Sequence, residues 1–221
     1  MTNPGWCLKT HGGDVWFSRA QLYRDSEAHR EGRDLDLIVE WAEGETALDV
    51  ATGGGHVARR LREAGFQVVT CDPAPGMAPE VICRAEDLPF AQGSFDVVVS
   101  RVAPHHFEDV AKGVGEMARV SRHLVLVADN LYLGEPVEEA ERLRDPTHVR
   151  CCSEAEWRDL FEQAGLQVEG VEREEKRIEL EPWLERAGCV GDEAARVREL
   201  LADRIEDGYL RLDRIILKGR K

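Results

Sequence analysis

A chain of 221 residues is long enough for one α/β domain with a full core. Asp and Glu number 43 against 29 Lys and Arg, a formal net charge of −14 that works against docking on phosphate backbones or anionic membranes. No nucleic-acid role is expected, because no basic patch stands clear of carboxylates, and no membrane insertion, because no apolar run approaches the length of a span. The six cysteines (Cys7, Cys71, Cys83, Cys151, Cys152, Cys189) are scattered, and no apolar signal segment opens the chain, so free thiols in the cytoplasm are expected. The adjacent Cys151 and Cys152 invite a metal reading, but without Cys-x-x-Cys or a matching histidine spacing no metal is expected.

From about residue 35 the apolar periodicity alternates between helix and strand. Leu35, Ile38, Val39 and Ala42 mark one face of a helix, and a strand follows over 47–51. Next comes the glycine run of "LDVATGGGHVARRL", then a helix over 56–64 closed by Gly65. "FQVVTCD" reads as a second strand, "EVICRA" as a third, and "FDVVVSRV" as a fourth that is apolar enough to be buried on both faces. A helix over 107–120 leads to a fifth strand, "HLVLVAD". Further on, "SEAEWRDLFEQAG" is a helix with Ser153 as N-cap, Glu156 as its capping-box partner and Gly165 as stop. "LQVEGVEREEKRIEL" reads as a long solvated strand, 192–206 as an acidic helix, and "YLRLDRIILKG" as the last strand. This order predicts an α/β, Rossmann-like open sheet of about seven strands, mostly parallel with an antiparallel C-terminal strand, and helices on both faces. The tryptophans Trp41, Trp157 and Trp183, at helical positions, are expected in the core.

One connection is short. Between Asp72 and Val81 lie eight residues, three of them proline, which leaves no room for the helix of a usual parallel crossover. Apolar sheet surface near Val69, Cys71 and Ile82 should then lack cover. A homodimer or the N-terminal "WCLKTHGGDVWF" could supply it.

A glycine-rich turn that runs straight into a helix lets a ligand meet backbone N–H groups at the helix N-terminus. Read as Gly53-x-Gly55-x-x-Ala58 with Asp72 downstream, the turn matches a dinucleotide fingerprint. Asp49, four residues before Gly53, argues the other way. Its carboxylate would repel a pyrophosphate and favour an ammonium- or sulfonium-bearing ligand. Asp72 ends the second strand, where a carboxylate can accept the hydroxyls of a ribose.

Together "ALDVATGGGHVARRL", "VVTCD", "RAEDLPF" and "FDVVVSRVAPHHF" resemble the successive motifs of class I S-adenosylmethionine-dependent methyltransferases. The nearest branch is similar to the ubiquinone/menaquinone-biosynthesis C-methyltransferases, a likeness that also takes in "YRDSEAHREGRDLDLIVEWA" and "RDPTHVRCCSEAEWRDLFEQAG". The resemblance implies S-adenosylmethionine as cofactor, with Asp49, Ala51 (where many members carry glycine), Gly53 and Gly55 at its methionine portion. It implies Asp72 at the ribose, Ala85 and Glu86 at the adenine edge, and Arg101 and Val102 beside the ammonium and the methyl. The chain departs from the pattern at Arg84, where relatives usually have an aspartate, and it lacks the Gly-Gly turn usual before the fifth strand.

Transfer of a methyl from a sulfonium needs alignment, and a base only if the nucleophile must shed a proton. His105 and His106, just past the fourth strand, are the candidates for that base, one of them being expected to pack or to cap the next helix. Residues 1–34 are expected to form an N-terminal segment and 35–221 the methyltransferase domain. Tyr23 and His29 would serve as a lid over a small-molecule substrate or as one face of an amphipathic helix. His148 and Arg144, in the insert after the fifth strand, would line the acceptor pocket or lie on the surface. The alternatives are a protein that binds S-adenosylmethionine without transfer, and a nicotinamide-dependent oxidoreductase.

Overall fold

The computed structural model describes residues 30–221, so Tyr23, His29 and the N-terminal aromatic residues lie outside the described residues. Eight strands form a single sheet in the order β3-β2-β1-β4-β5-β8-β6, with β7 paired to β8. The strands are β1 (Thr46–Val50), β2 (Gln67–Asp72), β3 (Val81–Ile82), β4 (Phe95–Arg101), β5 (Ser121–Asn130), β6 (Gln167–Glu179), β7 (Ile205–Glu206) and β8 (Tyr209–Arg220). The first five are parallel, and β8 runs antiparallel to both β5 and β6. The order reverses between β1 and β4, where the connections leave toward opposite sides and open a crevice at the carboxyl ends of the strands.

Strand alternation builds two cores. Val97 and Val99 of β4, with Leu124 and Leu126 of β5, face α1 (Arg33–Trp41) and α2 (His56–Glu63) through Leu35, Ile38, Val57 and Leu61. Val98, Val125 and Val127 face the other way, toward α3 (Val110–Val120) and α5 (Glu154–Gln163), where Met117, Trp157 and Phe161 fill the layer. Because helices cover both faces, β4 is buried along its whole length, as its unbroken apolar run predicts. α5 carries the expected capping box between Ser153 and Glu156, and Gly165 follows it in the left-handed region.

Two helices lie where none is expected: α4 (Glu135–Arg144) and α6 (Leu180–Ala187). With α7 (Gly191–Leu200) they enclose a third core around Trp183, Leu184 and Val197. Pro136 in the first turn of α4 suits a helix start, where its missing N–H costs nothing. The expected helix over 192–206 stops at Leu200, and β7 turns into β8 through Asp207-Gly208, both with positive φ, the two-residue hairpin that an Asp-Gly pair favours. The third strand shrinks to two residues, and the helix expected from residue 107 begins at Val110.

The short link over 73–80 holds one 3₁₀ turn, Pro75–Met77. It is stitched to β2, since the Glu80 N–H donates to Thr70 Oγ1 at 3.0 Å and Arg62 reaches Glu80 Oε1 at 2.8 Å. Ala74 and Met77 are buried. Cys71 is covered after all, and the exposed apolar surface expected here reduces to Ile82, 61% accessible. The boundary expected between residues 34 and 35 falls inside α1, whose Asp34 is among the most deeply buried charges.

Candidate active site

The crevice at β1 and β4 collects the glycine turn and its acids. Gly53 and Gly55 both adopt positive φ, and a Cβ added to either would meet nothing within 4 Å. The turn is therefore open above its backbone, a cradle whose glycines are required by conformation and leave room for a ligand. Ala51 shares the left-handed region at φ 54, which is why glycine suits this position in relatives. Val102, at the end of β4, has φ 52, a strained state for a β-branched residue, held by its N–H donating to Ala128 O at 2.7 Å.

Asp49 is buried beneath the turn. Its Oδ2 accepts from Thr52 Oγ1 at 2.6 Å and from the Ala58 N–H at 3.1 Å, so the strand's carboxylate caps α2. Burial raises its carboxyl to about 6, against the lowering pull of those two donors. Asp72 accepts from the Gly53 N–H at 3.0 Å and from the Ala74 N–H at 2.9 Å, which fixes its carboxylate at the edge of the cradle. Burial shifts it upward as well. Cys71 on β2 and Cys83 just past β3 lie beside it, and the two thiols perturb each other, Cys71 being pushed up and Cys83 down.

Ala85 is buried in the adjoining core. Glu86 accepts from the Glu108 N–H at 2.8 Å and so ties the loop after β3 to the start of α3. Arg84, the departure from the family pattern, is half exposed and pairs with Glu108 at 2.9 Å and Glu86 at 3.5 Å. The side chain of Arg101 turns to the far side of the sheet's end, where its Nε meets Asp34 Oδ2 at 2.6 Å beside Arg214, also at 2.6 Å.

Both histidines of "HHF" turn inward, and neither caps α3, because Asp109 does so through the Lys112 N–H. His105 Nδ1 lies 2.6 Å from Asp129 Oδ1 at the carboxyl end of β5. Burial works against its charge, but Asp129 outweighs it and raises the imidazole. His106 Nδ1 donates to Thr147 O at 3.0 Å, and burial with the neighbouring His105 holds it well below the usual histidine value. His148 completes the group, its ring 5.4 Å from that of His105 and its Nε2 3.0 Å from Glu138 Oε2. The insert hangs on this loop by its backbone, as the Val149 and Arg150 N–H groups both donate to His105 O.

His148 and Arg144 are therefore buried. Arg144 is held by Trp183, with its guanidinium carbon 4.1 Å from the ring centroid and its Nε on the Trp183 carbonyl at 3.1 Å, and by Glu141. Asp34, Asp129 and Glu138 were not singled out by sequence reading. Asp129 carried the available signal, an acid closing an apolar strand at the sheet's carboxyl end, as Asp49 and Asp72 do.

The methyltransferase-domain family model matches residues 48–126, which span the cradle and reach into β5. The uncharacterized methyltransferase YcgJ of Bacillus subtilis is 32% identical over 204 residues, 80% of each chain. The crystal structure of YcgJ superposes with a TM-score of 0.76 at 28% identity, over 85% of this chain and 97% of that one. The BH2331 protein of Bacillus halodurans gives the same TM-score at 26% identity, over 86% and 99%. A demethylmenaquinone methyltransferase from Beutenbergia cavernae is 37% identical over 89 residues, 36% of this chain and 37% of its own. Length, motif order and fold thus agree, and the chain belongs to the class I S-adenosylmethionine-dependent methyltransferases, in the neighbourhood of the ubiquinone/menaquinone-biosynthesis branch.

Proposed function

We propose that this methyltransferase acts on a small organic acceptor, with His105 as the base that takes the acceptor's proton. The observation that carries the reading is the Asp129–His105 pair at the strand ends next to the cradle. With Nδ1–H directed at Asp129, the tautomer leaves Nε2 as the acceptor of a proton. The insert packed over it, with His148 and Arg144 buried, supports a site shielded from water.

In the same reading the backbone at Gly53 and Gly55, with Asp49 and Ala51, holds the amino-acid end of the cofactor. Asp72 takes the ribose, Ala85 and Glu86 line the adenine, and the backbone at Arg101 and Val102 lies at the reacting end. When bound, S-adenosylmethionine supplies an electrophilic methyl on a sulfonium. The chain's own part is to align the acceptor, exclude water and hold the proton at His105. Asp129 acts through His105 as a positioning residue, His106 stays neutral beside it, and His148 borders the acceptor.

Tyr23 and His29, N-terminal to α1, we assign to the substrate side of that site, and the free thiols suit a cytoplasmic setting. No helix among the described residues is long and apolar enough to cross a membrane. Among the described residues Ile82 is the large apolar side chain exposed at the β3 edge, so a homodimer there would draw the rest of a standard interface of roughly 800 Å² per partner from polar surface.

An acceptor screen that follows release of S-adenosylhomocysteine tests the reading. His105→Ala should lower turnover by about 10² or more, the scale of a lost general base. Asp129→Asn should lower kcat without raising KM for the cofactor. Turnover at the wild-type rate in His105→Ala would mean that alignment alone drives transfer.

A further inference from the structure

The insert that follows β5 concentrates buried negative charge. Asp129, Glu138, Glu141 and Asp145 are all buried there, and the buried guanidinium among them is Arg144, which pairs with Glu141. Arg142 reaches Glu138 only at 3.8 Å, from the surface. His105, His148 and Arg144 face these carboxylates, and a buried group so rich in acids favours further positive charge. One oxygen of Asp129 is buried with no hydrogen-bond partner.

Softer donors stand in the same place. Glu138, His148 and Cys151 are buried, and each offers a ligand atom within 4.8 Å of the other two. Glu138 is oriented by the Cys151 N–H, which donates to Oε1 at 3.2 Å and Oε2 at 3.3 Å. His148, whose side chain is 1% accessible, presents Nε2 to Glu138 while its Nδ1 meets no hydrogen-bond partner. Nε2 is the nitrogen that faces Glu138, and the unpartnered Nδ1 is free to carry the ring proton if Nε2 gives it up.

We propose that Glu138, His148 and Cys151 hold a divalent cation of the zinc class beside the histidine cluster. A thiolate, an imidazole and a carboxylate are the donor types zinc prefers, and three protein ligands leave a fourth position for water or an acceptor atom. Binding forms a metal–sulfur bond in place of the Cys151 S–H bond, with the thiol proton released to solvent, and a metal–nitrogen bond at His148 Nε2 as the ring proton moves to Nδ1. The ion's two positive charges offset the surplus of buried carboxylates.

Cobalt(II) serves as the probe, titrated into the metal-stripped full-length protein and then displaced by zinc. The expected result is one equivalent bound, with the absorption bands of tetrahedral cobalt and a thiolate charge-transfer band. Cys151→Ser should abolish that band, and His148→Gln and Glu138→Gln should each weaken binding at least tenfold. Cys83→Ser, at the other thiol pair, should change nothing. Circular dichroism melting identifies any variant that fails to fold, and Glu138→Gln keeps a carbonyl acceptor for the Cys151 N–H. Absence of stoichiometric binding, or a band that survives Cys151→Ser and disappears in Cys83→Ser, would overturn the proposal. Because the readout is metal binding, an inactive but metal-loaded protein would count against the methyl-transfer chemistry and not against the site.

Discussion

Asp49 shows how one buried side chain can anchor a turn and still titrate within reach of neutral pH. Its carboxylate anchors the β1–α2 turn by accepting from Thr52 Oγ1 and the Ala58 N–H, yet burial pushes its carboxyl up to about 6. A folded-state value above the usual carboxylate value near 4 means that the neutral form is favoured by folding. The stability this gives is present below pH 4 and is lost as pH rises to about 6. A cationic amino-acid end placed beside Asp49 favours the ionised form, so below pH 6 binding must displace a proton. Affinity for S-adenosylhomocysteine should therefore fall as pH drops from 7 to 5, by about tenfold per unit once below 6. Asp49→Asn should flatten that dependence, and calorimetry at several pH values reads both. A slope that persists in Asp49→Asn would place the titrating group elsewhere.

At the scale of elements, the Asp34 cluster joins parts of the chain that sequence order keeps far apart. Asp34 on α1 receives Arg101 from the end of β4 and Arg214 from β8, with Lys176 of β6 at 3.8 Å. Burial opposes its charge, but Arg214 and Arg101 overcome that and hold the carboxyl below the usual range. Its contribution to stability is thus present above pH 4 and lost only as pH falls through the lowered value. Asp34→Asn removes the carboxylate that two buried guanidinium groups share and should cost about 3–5 kcal/mol, read as a lower urea midpoint. A midpoint shift under about 1 kcal/mol would mean that solvent already screens the cluster. The α5 cap is a smaller device, and Ser153→Ala should cost about 1 kcal/mol in the same assay. Such local devices were legible in the sequence: the capping box, the buried run of β4 and the glycine turn each depend on neighbours within a few residues. The Asp34 cluster, the His105–Asp129 pair and the Glu138–His148 contact were not, because their partners meet only once the sheet order brings β4, β5, β8 and the insert together. Helices α4 and α6 escaped for a related reason, since their apolar faces pack on each other's neighbourhood in the third core and carry no signal of the main sheet. The Asp207-Gly208 turn falls in the gap between the expected helix over 192–206 and the last strand, while β7, Ile205–Glu206, lies where the end of that helix is expected.

For the molecule as a whole, the reversal of strand order between β1 and β4 puts the glycine cradle, Asp72, the strained Val102 and the histidine cluster around one crevice. Family membership establishes the cofactor, and the account's central claim is that this cradle is where the cofactor is held. Isothermal titration with S-adenosylhomocysteine tests the claim most directly, on the unaltered protein and on Gly53→Val and Asp72→Ala. The account predicts one site on the unaltered protein and at least about tenfold weaker binding in each variant, equivalent to about 1.4 kcal/mol or more. Tight one-to-one binding that is unchanged in both variants would contradict it.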